Sequence, residues 1–233
     1  MSVILPNSFS CIARTAVFDG GEQVDFRSMA QPGLPVELAD QLQTCRFLVT
    51  TSKVKSTVSP HHSIEFTETL LKVPVQVRGK DYLFPVVTFV DHEYSLIRGY
   101  LLGFNKRFAA PNPECENLVL HTEGVDVDLR AEPSRGASAE ATPPEQEYPI
   151  LLWTDYAVGT TVRSSGFATL DIEAYERQYL HTKMRISRTV HTVGHSKVTA
   201  CQLYEIRDTF VITGTLPIIG LPPVPAADRL ASH

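Results

Sequence analysis

Metal binding, nucleophilic attack and proton transfer each need particular side chains, and the histidines are the first to consider in this chain of 233 residues. His61-His62 and the pair His191 and His195 invite a metal reading. A spacing of four joins two ligands on one helical face, but Thr192, Val193 and Gly194 between them favour extended chain. On a strand the two imidazoles would stand about 13 Å apart, too far to share an ion. No metal site is expected, and these histidines read as surface or hydrogen-bonded residues. Cys11, Cys45, Cys115 and Cys201 are widely spaced, with no CxxC pair, and read as small buried hydrophobes rather than as a disulfide framework. No GxGxxG, GxxxxGK[ST] or GxSxG pattern occurs, so neither a nucleotide cofactor nor a serine nucleophile has support. Glu123, Asp126 and Asp128 read as a solvated face. What remains is residues 66 to 108, which hold Glu68, Lys106 and Arg107. Taken alone, Lys106-Arg107 reads as two exposed cations.

The elements that would position these groups are mostly strands. Residues 64 to 78 are rich in β-branched side chains, and Gly79-Lys80-Asp81 makes a plausible turn into 82 to 90, so a hairpin is expected. Further strands are expected over 148–162, 166–172, 184–207 and 209–220. Residues 92 to 102 set Leu96, Ile97, Tyr100 and Leu101 on one helical face, with Gly103 as a stop. Gly99 opposes that helix by about 1 kcal/mol relative to alanine. Short helices are also expected at 172–181 and 35–43. Residues 130 to 147, RAEPSRGASAEATPPEQE, lack large apolar side chains and read as a flexible loop within a single domain spanning 1–233.

The bulk composition narrows the class. Hydrophobic residues make up 43% and charged residues 20%, which suits an ordinary globular core. A formal charge of −5 argues against nucleic acid as a partner, since phosphate binding needs a concentrated basic surface. No apolar run approaches the ~20 residues that cross a bilayer, and the opening MSVILPNSFSCIA lacks the basic start of a secretory signal. A cytoplasmic protein with no membrane partner is expected.

The ordered pieces within 66–108 resemble the core of the acetoacetate decarboxylase superfamily. Phe66-Thr67-Glu68 matches the family's aromatic-Thr/Asn-Glu triplet, Phe89-Val90-Asp91 its acidic turn and Arg98-Gly99 its short glycine-containing helix. Gly103-Phe104-Asn105-Lys106-Arg107 matches the terminal G-aromatic-P-K-K motif. The match covers about a fifth of the chain. It implies a β-rich α+β fold, an antiparallel sheet or cone-shaped barrel with few short helices, and assembly as a homo-oligomer.

The resemblance also implies a carbon–carbon lyase without cofactor, in which Lys106 condenses with the ketone of a small keto acid. The requirement is severe, because a lysine of pKa ~10.4 is free amine in only about four parts in ten thousand at pH 7. Bringing it to neutrality takes on the order of 4 to 5 kcal/mol. A second cation about 6 Å away supplies roughly 3 kcal/mol at an effective dielectric of 20, and desolvation must supply the rest. Acetoacetate decarboxylase is itself the standing example of this activation. Arg107 stands where the family has a second lysine and would hold that repulsive charge. Glu68 would line the pocket and move protons.

The chain departs from the family at three points. Asn105 replaces the proline before the lysine, which leaves the backbone less rigid and adds a donor. Leu48, in Arg46-Phe47-Leu48, stands where decarboxylating relatives carry a second glutamate. Arg14 and Arg27 are both candidates for the family's N-terminal arginine. Decarboxylation through a Lys106 imine is therefore accompanied by two alternatives: an aldolase-dehydratase or cyclase acting on an α-keto acid in a biosynthetic pathway, and a non-catalytic small-molecule-binding protein.

Overall fold

In the computed structural model, the structure describes residues 7–19, 21–59, 61–109, 118–122, 124–129, 131–133, 148–158, 162–180, 184–186 and 191–218. Eight segments form one sheet: β1 (Asn7–Phe18), β2 (Phe47–Ser59), β3 (His62–Val77), β4 (Lys80–Val90), β5 (Lys106–Phe108), β6 (Leu151–Val158), β7 (Val162–Leu180) and β8 (Ala200–Pro217). The spatial order is β6-β7-β8-β1-β2-β3-β4-β5. Neighbours are antiparallel except β4 and β5, where Thr88 lies opposite Lys106 in a parallel pair. The sheet curls into a half-barrel. Its ends approach where the Leu83 N–H donates to the Pro149 carbonyl at 3.0 Å, just before β6.

Period-two patterning gives the sheet two working faces. On β3, Phe66, Glu68, Leu70 and Lys72 line an interior cavity, while Leu71, Val73, Val75 and Val77 enter the main core. Thr50, Ser52, Val54 and Ser56 of β2 likewise line the cavity, whereas Phe47 and Val49 face the core. The core is closed from outside by Phe26, Leu38 and Leu42, and by a four-stranded sheet built from Leu118–Thr122, Val125–Leu129, His191–Val193 and Ser196–Val198. Stacking of Phe18 on Phe47, with centroids 4.6 Å apart, is part of this apolar layer.

The hairpin expected from 64–90 is present, with its turn at Arg78-Gly79 rather than at Gly79-Lys80-Asp81. Both turn residues have positive φ, 54° and 72°, which matches the right-handed twist of the two strands. The expected helices at 92–102 and 35–43 correspond to α2 (Glu93–Leu102) and α1 (Val36–Ala39), the latter continued by a 3-10 turn over Asp40–Leu42. Of the helix expected at 172–181, the described residues 172–180 are instead part of β7. There the long ladder to β8 outweighs local helix propensity, and Arg177 lies opposite Asp208. Ala131–Pro133, read as loop, pairs with Met184–Ile186. The rest of the 130–147 segment lies outside the described residues. Cys45 is exposed, contrary to its reading as a buried hydrophobe.

Candidate active site

Lys106 is buried at 6% exposure, and its Nζ is ion-paired with Glu68. Three local features bring them together. Asp91 ends β4 and accepts the Thr67 N–H at 2.8 Å, so the Phe-Val-Asp turn anchors the strand position next to Glu68. The His92 side chain caps α2 by accepting the Tyr94 N–H at 3.1 Å, and Gly103 ends the helix at φ 96°, a conformation that glycine adopts freely. Asn105 then donates to the Met29 and Val86 carbonyls at 3.0 and 2.8 Å, and so fixes the entry to β5. The residue expected to loosen this turn stitches it to two other segments.

Helix α2 packs its small residues on the lysine. Ser95 Oγ lies 2.9 Å from Lys106 Nζ. A Cβ placed on Gly99 would come within 2.1 Å of Lys106 Cε and 2.2 Å of Cδ. The glycine that opposed the helix in sequence is the slot through which the lysine stem passes. The Phe104 ring, with its centroid 5.5 Å from Nζ, completes the surround.

The amine opens on a cavity of about 770 Å³, within the range of small-molecule sites. Its wall carries Arg98, a residue that sequence reasoning assigned no role. Arg98 is 6% exposed, lies over the Phe9 ring at 4.7 Å, and none of its three guanidinium nitrogens has a hydrogen-bond partner among the described residues. Burial lowers the arginine's pKa, and the neighbouring Tyr94 opposes that shift. A buried, unsatisfied guanidinium is costly and has the fork geometry of a carboxylate receptor. Its Arg-Gly dipeptide was the one available signal, but periodicity does not reveal that this arginine faces inward.

The other expected residues fall elsewhere. Arg107 does not join Lys106: adjacent side chains on β5 point to opposite faces, and its exposed guanidinium donates to the Met29 carbonyl at 2.9 Å. It is not part of the cavity wall. The cation beside the lysine's helix slot is Arg98. Neither Arg14, paired with Glu205 at 2.9 Å, nor Arg27, paired with Asp25, lines the cavity. Leu48 is fully buried with Val17 and Leu83 in an apolar cluster. The cavity wall also carries Lys72, Cys11 and a bidentate Arg177–Asp208 pair with both contacts at 2.8 Å. Burial and the Arg177 charge lower the Lys72 pKa to about 8. Burial and Asp208 push the Cys11 thiol up to about 12, so it stays protonated and weakly nucleophilic at neutral pH.

The fold and this interior site define a β-rich α+β half-barrel enclosing a lysine pocket. No protein-family model matches the chain, and no curated protein matches it either. Among solved structures, it is similar to an acetoacetate decarboxylase-like enzyme from Sphingomonas wittichii RW1, at 15% identity and TM-score 0.63, with 96% of this chain and 95% of that one covered. The enduracididine biosynthesis enzyme MppR, complexed with the condensation product of pyruvate and imidazole 4-carboxaldehyde, matches at 11% identity and TM-score 0.62, over 93% and 90% of the two chains. Acetoacetate decarboxylase from Legionella pneumophila matches at 12% identity and TM-score 0.53, over 91% and 87%. The chain has the acetoacetate decarboxylase-like fold.

Proposed function

We propose that this protein is a lysine Schiff-base enzyme acting on a small keto acid, with Lys106 as the amine. The observation that carries the reading is the buried Lys106–Glu68 pair opening on the same cavity as the unpartnered Arg98. Arg98 receives the substrate carboxylate, and Glu68 takes the proton of the Lys106 ammonium. The freed amine attacks the ketone carbon, the C=O π pair moves to oxygen, and one N–H proton passes to that oxygen to give the carbinolamine. Glu68 returns the proton to the carbinolamine hydroxyl, which leaves as water and gives an iminium ion. With a β-keto acid, the electron pair of the C–CO2 bond flows into the iminium, releasing CO2 and leaving an enamine. Glu68, reprotonated from solvent, protonates the enamine carbon, and water hydrolyses the imine.

Leu48 favours a second outcome from the same imine. The apolar cluster around Leu48 holds no carboxylate, and the second carboxylate that lines the cavity, Asp208, is paired with Arg177. An α-keto acid bound as an imine could instead lose a proton next to the former carbonyl, and the enamine would add to an aldehyde in an aldol, dehydration or cyclisation sequence. The pyruvate condensation product named for MppR has this chemistry.

The test is borohydride trapping with β- and α-keto acids, followed by peptide mapping. An adduct on Lys106 is expected; an adduct on Lys72, or none, overturns the assignment. CO2 release from a β-keto acid that traps on Lys106 identifies the first outcome, and a trapped adduct of such an acid without CO2 release identifies the second.

A further inference from the structure

Glu68 is not the last charged residue on the cavity face of β3. Lys72 follows it four residues on, with Cα atoms about 13 Å apart along the strand. Four cations, Lys72, Arg98, Lys106 and Arg177, line this one cavity against two anions, Glu68 and Asp208. The anions are used by Lys106 and Arg177. Arg98 and Lys72 are left, and among the described residues the Lys72 side chain makes no hydrogen bond or ion pair. The two cations without an ion-pair partner project from different elements, α2 and β3, and are held by a surround that includes Phe9, Leu70 and Ile206. An apolar wall with a formal surplus of two positive charges selects against neutral and monoanionic occupants by leaving one cation desolvated and unpaired.

We infer that the cavity takes a dianionic keto acid, a ketone flanked by one carboxylate for Arg98 and carrying a second carboxylate that reaches Lys72. The inference rests on the proposed keto acid reading but can be tested without the imine. Glutarate and pentanoate have equal chain length, carry no ketone and differ in one carboxylate. Calorimetric titration of the intact protein at pH 7 is expected to show glutarate binding at least 10-fold more tightly than pentanoate. In Lys72→Met that ratio falls to near 1, and Lys72→Arg restores most of it. Equal affinities in the unaltered protein, or a ratio that survives Lys72→Met, overturn the proposal. Trapping rates with 2-oxoglutarate and 2-oxopentanoate give the reactive counterpart. A diacid preference in binding with no trapped adduct would sink the Schiff-base reading while sustaining this one.

Discussion

At the scale of single residues, the site beside the amine is governed by one gap and one arginine whose guanidinium has no hydrogen bond among the described residues. Gly99 is the gap. An alanine there would normally favour the helix by about 1 kcal/mol, but its methyl group would occupy the position of the Lys106 stem. Gly99→Ala is expected to lower imine trapping at least 100-fold while the protein remains folded by circular dichroism; trapping within threefold of the parent would show that the slot is not needed. Arg98 is that arginine. Arg98→Met is expected to raise stability by about 1 kcal/mol, since it removes a buried cation without hydrogen bonds, and to raise KM for keto acids at least 10-fold. Denaturant melts and substrate titrations check the two halves, and a variant that loses stability without losing affinity would give Arg98 a packing role only. Lys106 and Glu68 were legible in the sequence as candidates because four short ordered motifs resemble those of the acetoacetate decarboxylase superfamily. Arg98 was not, because an arginine on a short helix is ordinarily solvated and only the tertiary fold turns it inward.

Elements show a similar division. The hairpin of β3 and β4 was readable from β-branched content and a glycine turn, both local properties. The strand at 172–180 was not, since IEAYERQYL has the composition of a helix and becomes extended only through its ladder to β8. That partner lies about thirty residues away in sequence, beyond any local window. The hairpin turn carries its own prediction. Arg78 sits at φ 54°, a region that costs most residues roughly 1 kcal/mol and that asparagine tolerates better. Arg78→Asn, which makes an Asn-Gly turn, is expected to stabilise the protein by about 0.5 kcal/mol in urea unfolding. Equal or lower stability would mean that contacts of the arginine side chain outweigh the backbone term.

For the molecule as a whole, the half-barrel holds charge in a place where charge lowers stability, and pH reveals how much. Lys72 titrates near 8 in the folded protein against 10.5 for an unperturbed lysine. Below pH 8 the ammonium is present in folded and unfolded chains alike, and the folded state carries the full desolvation cost. Between about 8 and 10.5 the unfolded chain binds a proton that the folded chain does not, so this group's contribution to stability rises with pH. Glu68 and Asp208 oppose the shift and Arg177 reinforces it, so the balance belongs to the cavity as a unit. Lys72→Met is therefore expected to be more stable than the parent at pH 7, by on the order of 1 to 3 kcal/mol. The difference should shrink toward pH 10, where the parent's amine is already neutral. Paired urea titrations at pH 7 and pH 9.5 check this. A gap that stays constant with pH would mean that the methionine gains through packing, and that Lys72 already meets enough water in the cavity to keep its ordinary charge.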